Sequence, residues 1–392
     1  MKNLFILFAC LVALVSCEVL EKPPLDQISN DQYWKSPSDL ENYTLQFYPN
    51  FPTFKNTGGT FLGNIGVDAL TGSDHQITQT PTTTMNGTRS IALSGGSWEW
   101  SGIRAINIFF ENYRKVEAPF ENVKQYVGEA HFFKAYLYFE KVKLYGDVPW
   151  YTNSLQLDSP ELYNARTPRT AVVDSILYHL DQAIADLTPL SSVSGGNNRI
   201  SKEAALAFKS RVALYEGSWQ KYHTGTVFGT SGANPSKYFR AAADAAAELM
   251  TPGKYKVAIT GTTADDYTKL FASTNLSSNS EIILWAKFDK TLNTLSHNFQ
   301  QYVTSFTNQV SVTYELTQNY LGKDGKPYNY DSLAKQTKGT AFLSVIGANC
   351  DPRLKQVVWV PGQTMWDNSA GKALFVKPSL EQTGEAKNHT GF

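Results

Sequence analysis

The sequence predicts a mainly α-helical protein in which helices pack against a loop-rich, irregular part with little β-structure. The stretch 128–150 carries aromatic residues at helical spacing on more than one face, as expected of a helix at the centre of a core. Further helix starts recur at intervals of 33 and 35 residues. By contrast, the segment 49–96 is rich in Gly, Thr and Asn without a sustained period, and regular structure thins again beyond Gly261.

The composition is that of a folded protein with no electrostatic preference for polyanions. The 392 residues are 42% hydrophobic and 13% aromatic, which supports a large core and excludes a disordered scaffold. Lys plus Arg and Asp plus Glu are 35 each, so nucleic acid is not an expected partner. A high aromatic fraction with balanced charge suits stacking on uncharged rings such as sugars.

The N-terminus resembles a bacterial export signal. Lys2 precedes an apolar run from Leu4 to Val15, which fits a signal-peptide core and falls short of the roughly 20 residues that span a bilayer. The residues 14–17, Leu-Val-Ser-Cys, resemble a lipobox. We therefore predict a signal peptide over 1–16, a lipidated Cys17 and a polar tether over 17–35.

The cysteine count agrees with a lipid-anchored chain. If Cys10 leaves with the signal and Cys17 carries lipid, Cys350 is the one remaining thiol, so no disulfide within the mature chain is expected. The acyl chains would anchor the protein to a membrane.

The first two helices are predicted from capping signals and apolar spacing. Ser36, Pro37 and Asp39 form the pattern of an N-cap, a first-turn proline and a capping box, and Leu40, Tyr43 and Phe47 form the buried stripe that follows. A second helix is predicted after Gly96, with its apolar stripe at Ile103, Ile106, Phe110 and Tyr113.

The central helix is predicted to stop abruptly. Gly146 provides a residue for a positive φ, Asp147 favours a turn, and Pro149 prevents the helix from continuing. Glu129-Ala130-His131 is expected to be exposed polar surface of this helix.

Three later helices are predicted to start at 168, 201 and 236, the first with Thr167 as its cap. A spacing near 34, with Ala where helices approach closely, is typical of TPR-type helix pairs, and a plain irregular bundle fits the periodicity equally well. Beyond them, the apolar run 281–286 is expected to be a strand or the start of a buried helix.

Motifs for catalysis, metals and nucleotides are missing from the sequence. There is no His-x-x-x-His pair or Cys cluster for zinc, no Gly-Lys-Ser/Thr phosphate loop and no nucleophile elbow. We therefore expect no enzyme activity, no cofactor and no metal. Scattered acids such as Asp68, Asp74 and Glu99 leave a two-carboxylate glycan hydrolase as an alternative.

Sugar binding requires fewer specialised groups than catalysis or metal binding. Exposed aromatic faces with polar groups around them are sufficient. We predict a binding face built from the irregular segments 49–96 and 289–375, because recognition residues concentrate in long loops beside a rigid body. Trp98 is the leading aromatic, and we expect Trp98→Ala to weaken glycan binding by about 1–3 kcal/mol. The candidate contact residues are Trp98, Asp68, Asp74, Trp285, Tyr302, Arg353, Trp359 and Trp366. The alternative role for each of them is packing in the core or within loops.

Motifs along the chain resemble the SusD/RagB family, the surface glycan-binding lipoproteins of Bacteroidetes. They are GEAHFFKAYLYFEKVKLYGDVPW at 128–150, GSWEWSGIRAINIFFENY at 96–113, and the order DGKP, DPRL, PG at 324–327, 351–354 and 361–362. The resemblance implies TPR-like helix pairs packed against a ligand-facing subdomain. It assigns a single domain to 36–392, with the helical part over 97–253 and the loop-rich part over 49–96 and 261–392.

The resemblance also implies a function. A SusD-like protein is lipid-anchored on the cell surface at the outer membrane, binds an oligosaccharide or polysaccharide and delivers it to a SusC-like TonB-dependent transporter for carbohydrate uptake. The alternatives are a cell-envelope TPR scaffold that binds a protein or peptide and an extracytoplasmic glycan hydrolase. The family pattern continues beyond DPRL into a further strand and helix, so we predict a C-terminally incomplete member with exposed apolar residues on the helices 201–221 or 236–250.

Overall fold

The computed structural model describes most of the chain. It covers residues 33–51, 98–250, 255–259, 264–287, 311–368 and 371–375, together with 75–77, 86–88 and the single residues 83, 90, 96 and 261. The chain divides into two compact units. The body unit takes its described residues from 1–48, 99–187 and 215–235, and the loop unit takes them from 49–98, 188–214 and 236–392.

Helices dominate the described residues, which confirms the mainly α prediction. They are α1 Pro37–Leu45, α2 Ser101–Asn112, α3 Lys124–Tyr145, α4 Arg169–Asp186, α5 Lys202–Tyr222, α6 Pro235–Met250, α7 Asp266–Ala272, α8 Tyr314–Gln318, α9 Tyr330–Gln336, α10 Gly339–Asn349 and α11 Leu354–Val357. Four short strands form two antiparallel pairs, β1 Gln76–Ile77 with β2 Ser311–Val312 and β3 Thr364–Asn368 with β4 Gly371–Leu374.

Helix α1 begins as its sequence predicts. The Ser36 side chain accepts a hydrogen bond from the Asp39 backbone N–H, and the Asp39 carboxylate accepts one from the Ser36 backbone at 2.8 Å. This capping box fixes the entry of the chain into the body unit. Leu40 and Phe47 are then buried in the core, and the half-buried Tyr43 packs edge-on against Phe47.

Helix α3 is the centre of the body unit and is buried on most of its circumference. It packs against α1, α2 and α4, and Gly146 ends it with a φ of 70°, as predicted. The expectation that Glu129-Ala130-His131 is exposed was wrong: Glu129 and Ala130 are fully buried and His131 is half-buried. The polar side chains are accommodated by internal partners, and Glu129 accepts a hydrogen bond from the Gln125 side chain at 2.8 Å.

Helices α3 and α4 pack along each other, which is consistent with a TPR-like pair. Gly128 permits a close approach, because a Cβ atom at this position would lie 2.8 Å from Cγ of Leu187. The residue that precedes α4 is Pro168, with no side-chain cap. Thr167, predicted as the cap, instead accepts a hydrogen bond from the Trp150 backbone N–H through its hydroxyl.

The loop unit has its own small core around α9, α10 and α11. Tyr330, Leu343, Ile346, Cys350 and Phe375 are among its most buried members. The DGKP and DPRL motifs fold onto this core side by side. The Asp351 backbone N–H donates to the Leu321 carbonyl at 2.8 Å, and the Lys323 backbone N–H donates to the Asn349 carbonyl at 2.9 Å.

One detail of the loop unit differs from the sequence prediction. The run 281–286 is neither strand nor helix, and its Ile282, Ile283 and Leu284 are half-buried. In α6 the buried residues are Tyr238, Ala242 and Ala245.

Apolar side chains remain exposed on the later helices. Leu214 and Tyr222 of α5 and Met250 of α6 are each more than half exposed. Within the described part of the chain, every helix is too short or too polar to cross a membrane.

Candidate functional site

The two irregular segments predicted to form a binding face meet in the loop unit. Strand β1 from the first segment pairs with β2 from the second, with Gln76 opposite Val312 and Ile77 opposite Ser311. Next to this pair, the Thr313 backbone N–H donates to the His75 carbonyl at 2.9 Å. Thr313 also caps α8 through its hydroxyl, and the half-buried Tyr314 packs against the small core. The contact between the two segments is therefore anchored to helix α8 and to the small core of the loop unit.

A second feature of the loop unit is a group of exposed rings beside a braced arginine. Tyr267 and Phe271 lie one helical turn apart on α7, with ring centroids 5.0 Å apart and exposures of 42% and 72%. Helix α7 packs on α11, and the Thr268 backbone N–H donates to the Gln356 side chain at 2.9 Å. We call Tyr267, Phe271, Tyr320, Asp351 and Arg353 the aromatic-arginine surface.

Asp351 holds Arg353 in place on this surface. The Arg353 Nε donates to Asp351 Oδ1 at 3.0 Å and its Nη2 donates to Oδ2 at 2.6 Å, while the Arg353 backbone N–H also donates to Oδ1 at 2.9 Å. These hydrogen bonds lower the pKa of Asp351, so the carboxylate stays charged and keeps the guanidinium oriented. DPRL is thus a structural brace that presents an exposed cation.

Tyr320 joins the aromatic rings to the arginine. Burial is the main cause that raises the pKa of Tyr320, and Tyr267 raises it further. The positive charge of Arg353 opposes this rise. Tyr267 and Arg353 are therefore near enough to Tyr320 to affect its pKa. The Tyr320 carbonyl accepts a hydrogen bond from Tyr330 Oη at 2.8 Å, and Tyr330 Oη also contacts the Cys350 Sγ at 3.1 Å. The surface therefore rests on the buried core of the loop unit.

The structure gives different roles to the aromatic residues predicted from the sequence. Trp98 is 39% exposed. Trp285 is half-buried. Its indole N–H donates to Asn197 Oδ1 at 2.8 Å, and its backbone N–H donates to the Asn197 carbonyl. Trp359 is half-buried and stacks on Phe375 with a centroid distance of 6.4 Å. Trp366 lies in β3, and its side chain is outside the described part of the structure.

Cys17, Asp68, Asp74 and Tyr302 lie outside the described residues. The sequence analysis missed Tyr267, Phe271 and Tyr320 as surface residues. The signal available for two of them was the spacing of four between Tyr267 and Phe271 in a short polar stretch after Gly261. Only Arg353 of the aromatic-arginine surface was among the candidates.

The body unit contains a separate cluster of titratable side chains that is buried. The Nδ1 atoms of His131 and His179 are 2.7 Å apart, and Lys134 Nζ donates to Asn107 Oδ1 at 2.8 Å. Burial lowers the pKa of His131 to about 4 and that of Lys134 to about 8, and it also lowers the pKa of His179. Two rings, Phe110 and Trp150, flank the Lys134 ammonium. The cluster lies between α2, α3 and α4 and helps to pack these helices together.

Metal ligands do not converge in the part of the chain that the structure describes: no three His, Cys, Asp or Glu side chains are close enough to hold an ion. The polar groups of the aromatic-arginine surface are hydrogen-bonding groups around apolar rings. Such an arrangement is suited to binding a neutral polar ring compound.

Comparisons with known proteins agree with this architecture. A family model described as starch-binding and associating with the outer membrane matches residues 67–214. A SusD-like protein of Formosa agariphila is 28% identical over 230 residues, which are 57% of this chain and 44% of that protein. A second SusD-like protein of the same organism is 24% identical over 236 residues, or 55% of this chain and 42% of that protein. The chain thus spans less than half the length of these curated relatives.

Solved structures share the fold. A SusD-like protein from Bacteroides fragilis superposes with a TM-score of 0.68 at 22% identity, covering 93% of this chain and 69% of that one. A SusD-like carbohydrate-binding protein from the same species gives a TM-score of 0.60 at 20% identity, covering 84% and 61% of the two chains.

The fold therefore defines a mainly helical protein with TPR-like helix packing and a loop-rich part. The chain is similar to SusD-like proteins over part of its length, and it shares the fold of solved SusD-like structures.

Proposed function

We propose that this protein binds an oligosaccharide or polysaccharide at the cell surface without catalysing its cleavage. The observation that carries the proposal is the aromatic-arginine surface, in which Tyr267 and Phe271 of α7 are exposed and Tyr267 lies near the braced Arg353. Flat apolar sugar faces stack on such rings, and the guanidinium donates to hydroxyl groups around them. The match of residues 67–214 to a family model described as starch-binding supports the same class of ligand.

The loop unit is the proposed location of the glycan site. The pairing of β1 with β2 joins the two segments in which Asp68, Asp74 and Tyr302 lie, and Trp98 and Arg353 belong to the same unit. A glycan chain that spans several sugars would use side chains from both segments. We propose Tyr267, Phe271, Tyr320 and Arg353 as its contacts, in addition to the residues predicted from the sequence.

We further propose that the protein is anchored in the outer membrane through lipid on Cys17 and passes its glycan to a SusC-like TonB-dependent transporter. The lipobox at 14–17 and the description of the matching family as associating with the outer membrane support this location. A Cys17→Ala variant should leave the membrane fraction after a high-salt wash. Retention of that variant in the membrane would contradict the lipid anchor.

One experiment separates binding from catalysis. The purified protein is applied to a glycan microarray, and reducing-sugar release is measured on the same sample with each glycan that binds. We expect binding to at least one neutral glycan and no release of reducing ends. Release of reducing ends would identify a hydrolase, and absence of binding to every glycan would contradict the proposed function and favour the scaffold.

A further inference from the structure

A cleft in the body unit has features of a second ligand site. It encloses about 480 Å³ between α1, α2 and the loop after Trp150, within the range of about 300–1,000 Å³ for small-molecule pockets. Aromatic residues form one wall and polar residues the other. The lining residues used below are Tyr33, Tyr43, Arg104, Glu111, Ser154 and Gln156.

The loop that forms the polar wall is fixed before any ligand binds. Glu111 of α2 accepts hydrogen bonds from the backbone N–H and the hydroxyl of Ser154, each at 2.6 Å. The buried Asn107 side chain donates to the carbonyls of Tyr151 and Asn153, the latter at 2.8 Å. Binding would therefore not have to order this loop, which reduces the entropic cost of association.

The aromatic wall offers rings, and not hydroxyl groups, to a ligand. Both tyrosine hydroxyl groups already donate hydrogen bonds within the protein. Tyr43 Oη donates to the Ala105 carbonyl and Tyr33 Oη donates to the Asp39 carbonyl, each at 3.0 Å. Burial raises the pKa of Tyr43 to about 12, so its phenol stays neutral. The two rings lie 5.9 Å apart at 64°, which forms a bent apolar wall.

Hydrogen-bond donors remain available on the polar wall. The Arg104 Nε makes one long hydrogen bond, 3.4 Å, to the Leu155 carbonyl, and its terminal guanidinium nitrogens have no partner among the described residues. The Gln156 side-chain amide likewise has no partner within the described part of the chain, since only its backbone is hydrogen-bonded, through Ser159. These groups could bond adjacent hydroxyls of one ligand.

The charges in the cleft balance. Arg104 contributes one cation and Glu111 one carboxylate, and both affect the pKa of Tyr43, with opposite signs. A carboxylated or phosphorylated ligand would be repelled by the negative charge of Glu111. A neutral ring with several hydroxyl groups would face hydrogen-bond donors on one wall and aromatic rings on the other. The cleft therefore favours a neutral ligand.

We propose that this cleft is a second, independent carbohydrate site that holds one neutral pyranose unit. The inference takes its class of ligand from the proposed function, whereas its location and residues come from the body unit alone.

The test uses the whole 392-residue chain and three neutral probes, methyl α-D-glucopyranoside, methyl β-D-galactopyranoside and methyl α-D-mannopyranoside. Binding is followed by saturation-transfer NMR and calorimetry. We expect at least one probe to bind with millimolar Kd, and Arg104→Ala and Gln156→Ala each to weaken it at least five-fold. The matched control is Arg114→Ala, because Arg114 is an equally exposed arginine whose guanidinium lies over the Tyr113 ring outside the cleft.

The outcomes separate this inference from the proposed function. Absence of binding for all three probes, or binding unaffected by Arg104→Ala in a protein with an unchanged melting temperature, would overturn the cleft site. Tighter binding of glucuronate than of the neutral probes would also overturn it. Loss of oligosaccharide binding in Tyr267→Ala, with monosaccharide binding retained, would support separate sites. Monosaccharide binding through Arg104 without any oligosaccharide binding would leave the cleft standing and contradict the proposed loop site.

Discussion

Arg169 of the body unit and Arg353 of the loop unit have opposite surroundings. In the body unit, Arg169 is 95% buried and contacts Glu216, whose exposure is zero, with a 2.8 Å hydrogen bond from Nε to Oε2. In the loop unit, Arg353 is exposed and braced by a single carboxylate beside exposed rings. The first arrangement fixes helices to one another, and the second keeps a cation available for a ligand.

Individual rings of the two units differ in the same way, although the body unit also exposes rings such as Tyr163. Trp219 in the body unit covers Arg169, with the guanidinium carbon 4.2 Å from its ring centroid, and Trp150 stacks on Tyr138 at 4.0 Å. Tyr267 and Phe271 in the loop unit leave much of their ring surface in solvent. Exposed rings on a braced element stabilise the fold little, so their placement is better explained by binding than by stability.

The largest effect is expected from breaking the buried ion pair. Glu216→Ala leaves the buried Arg169 charge without its carboxylate and removes the acceptor of the Gln220 side chain. We expect the free energy of unfolding to fall by about 3–5 kcal/mol, measured by urea denaturation. Glu248→Ala is the matched control, because its ion pair with Lys202 is exposed and typically contributes about 0–1 kcal/mol. Equal effects of the two variants would refute the contrast between units.

A pH-dependent effect is expected from Lys134. Burial lowers its folded-state pKa to about 8, whereas the unfolded chain retains the proton up to the ordinary value of 10.5. Between these values the unfolded state binds more protons, so stability rises with pH through this window and Lys134 contributes no slope below it. The rise attributable to this group is on the order of 3 kcal/mol.

Lys134→Met tests this pH dependence. The difference in unfolding free energy between the two proteins, measured from pH 7.5 to 10.5, should change by an amount of that order. If the two proteins show parallel pH profiles, Lys134 is not the group responsible. Lys143→Met, at an exposed position near the end of α3, serves as the control.

A smaller effect is expected at the close contact of the TPR-like pair. Gly128→Ala places a Cβ atom 2.8 Å from the Leu187 side chain and 3.1 Å from its backbone nitrogen, so the helices must separate slightly. Overpacking of this kind costs about 1–3 kcal/mol, which a thermal melt would detect. Gly146→Ala is the comparison variant without a clash, because its Cβ would meet no atom within 4 Å and any cost comes from its positive φ of 70° alone. An unchanged stability of Gly128→Ala would contradict the close packing.

The sequence predicted the structure best where local chemistry decides it. Ser36, Pro37 and Asp39 act within one helical turn, and Gly146 acts at one residue, so their roles follow from the sequence alone. The burial of Glu129 could not be predicted in this way, because it depends on three other helices that cover α3. Periodicity describes which face is apolar but not how many neighbours a helix has.

The candidate site was predicted only in part for the same reason. Asp351 and Arg353 were recognised from a motif, and their contact is local. Trp285 was expected to contact ligand, yet its indole N–H is held by Asn197, which lies 88 residues earlier. The position of Tyr267 beside Tyr320 and Arg353 likewise depends on distant segments of the chain. Such contacts are set by tertiary packing, which no local pattern reports.

The central claim is that the exposed rings of the loop unit bind glycan, and one measurement tests it most directly. A neutral oligosaccharide identified on the microarray is titrated calorimetrically into wild type, Tyr267→Ala, Phe271→Ala and the control Tyr163→Ala, which removes a tyrosine that is 84% exposed in the body unit. We predict that each loop-unit variant loses about 1–3 kcal/mol of binding free energy, by analogy with aromatic stacking on bases, while the control retains wild-type affinity. Wild-type affinity in both loop-unit variants, with their folds intact, would contradict the account.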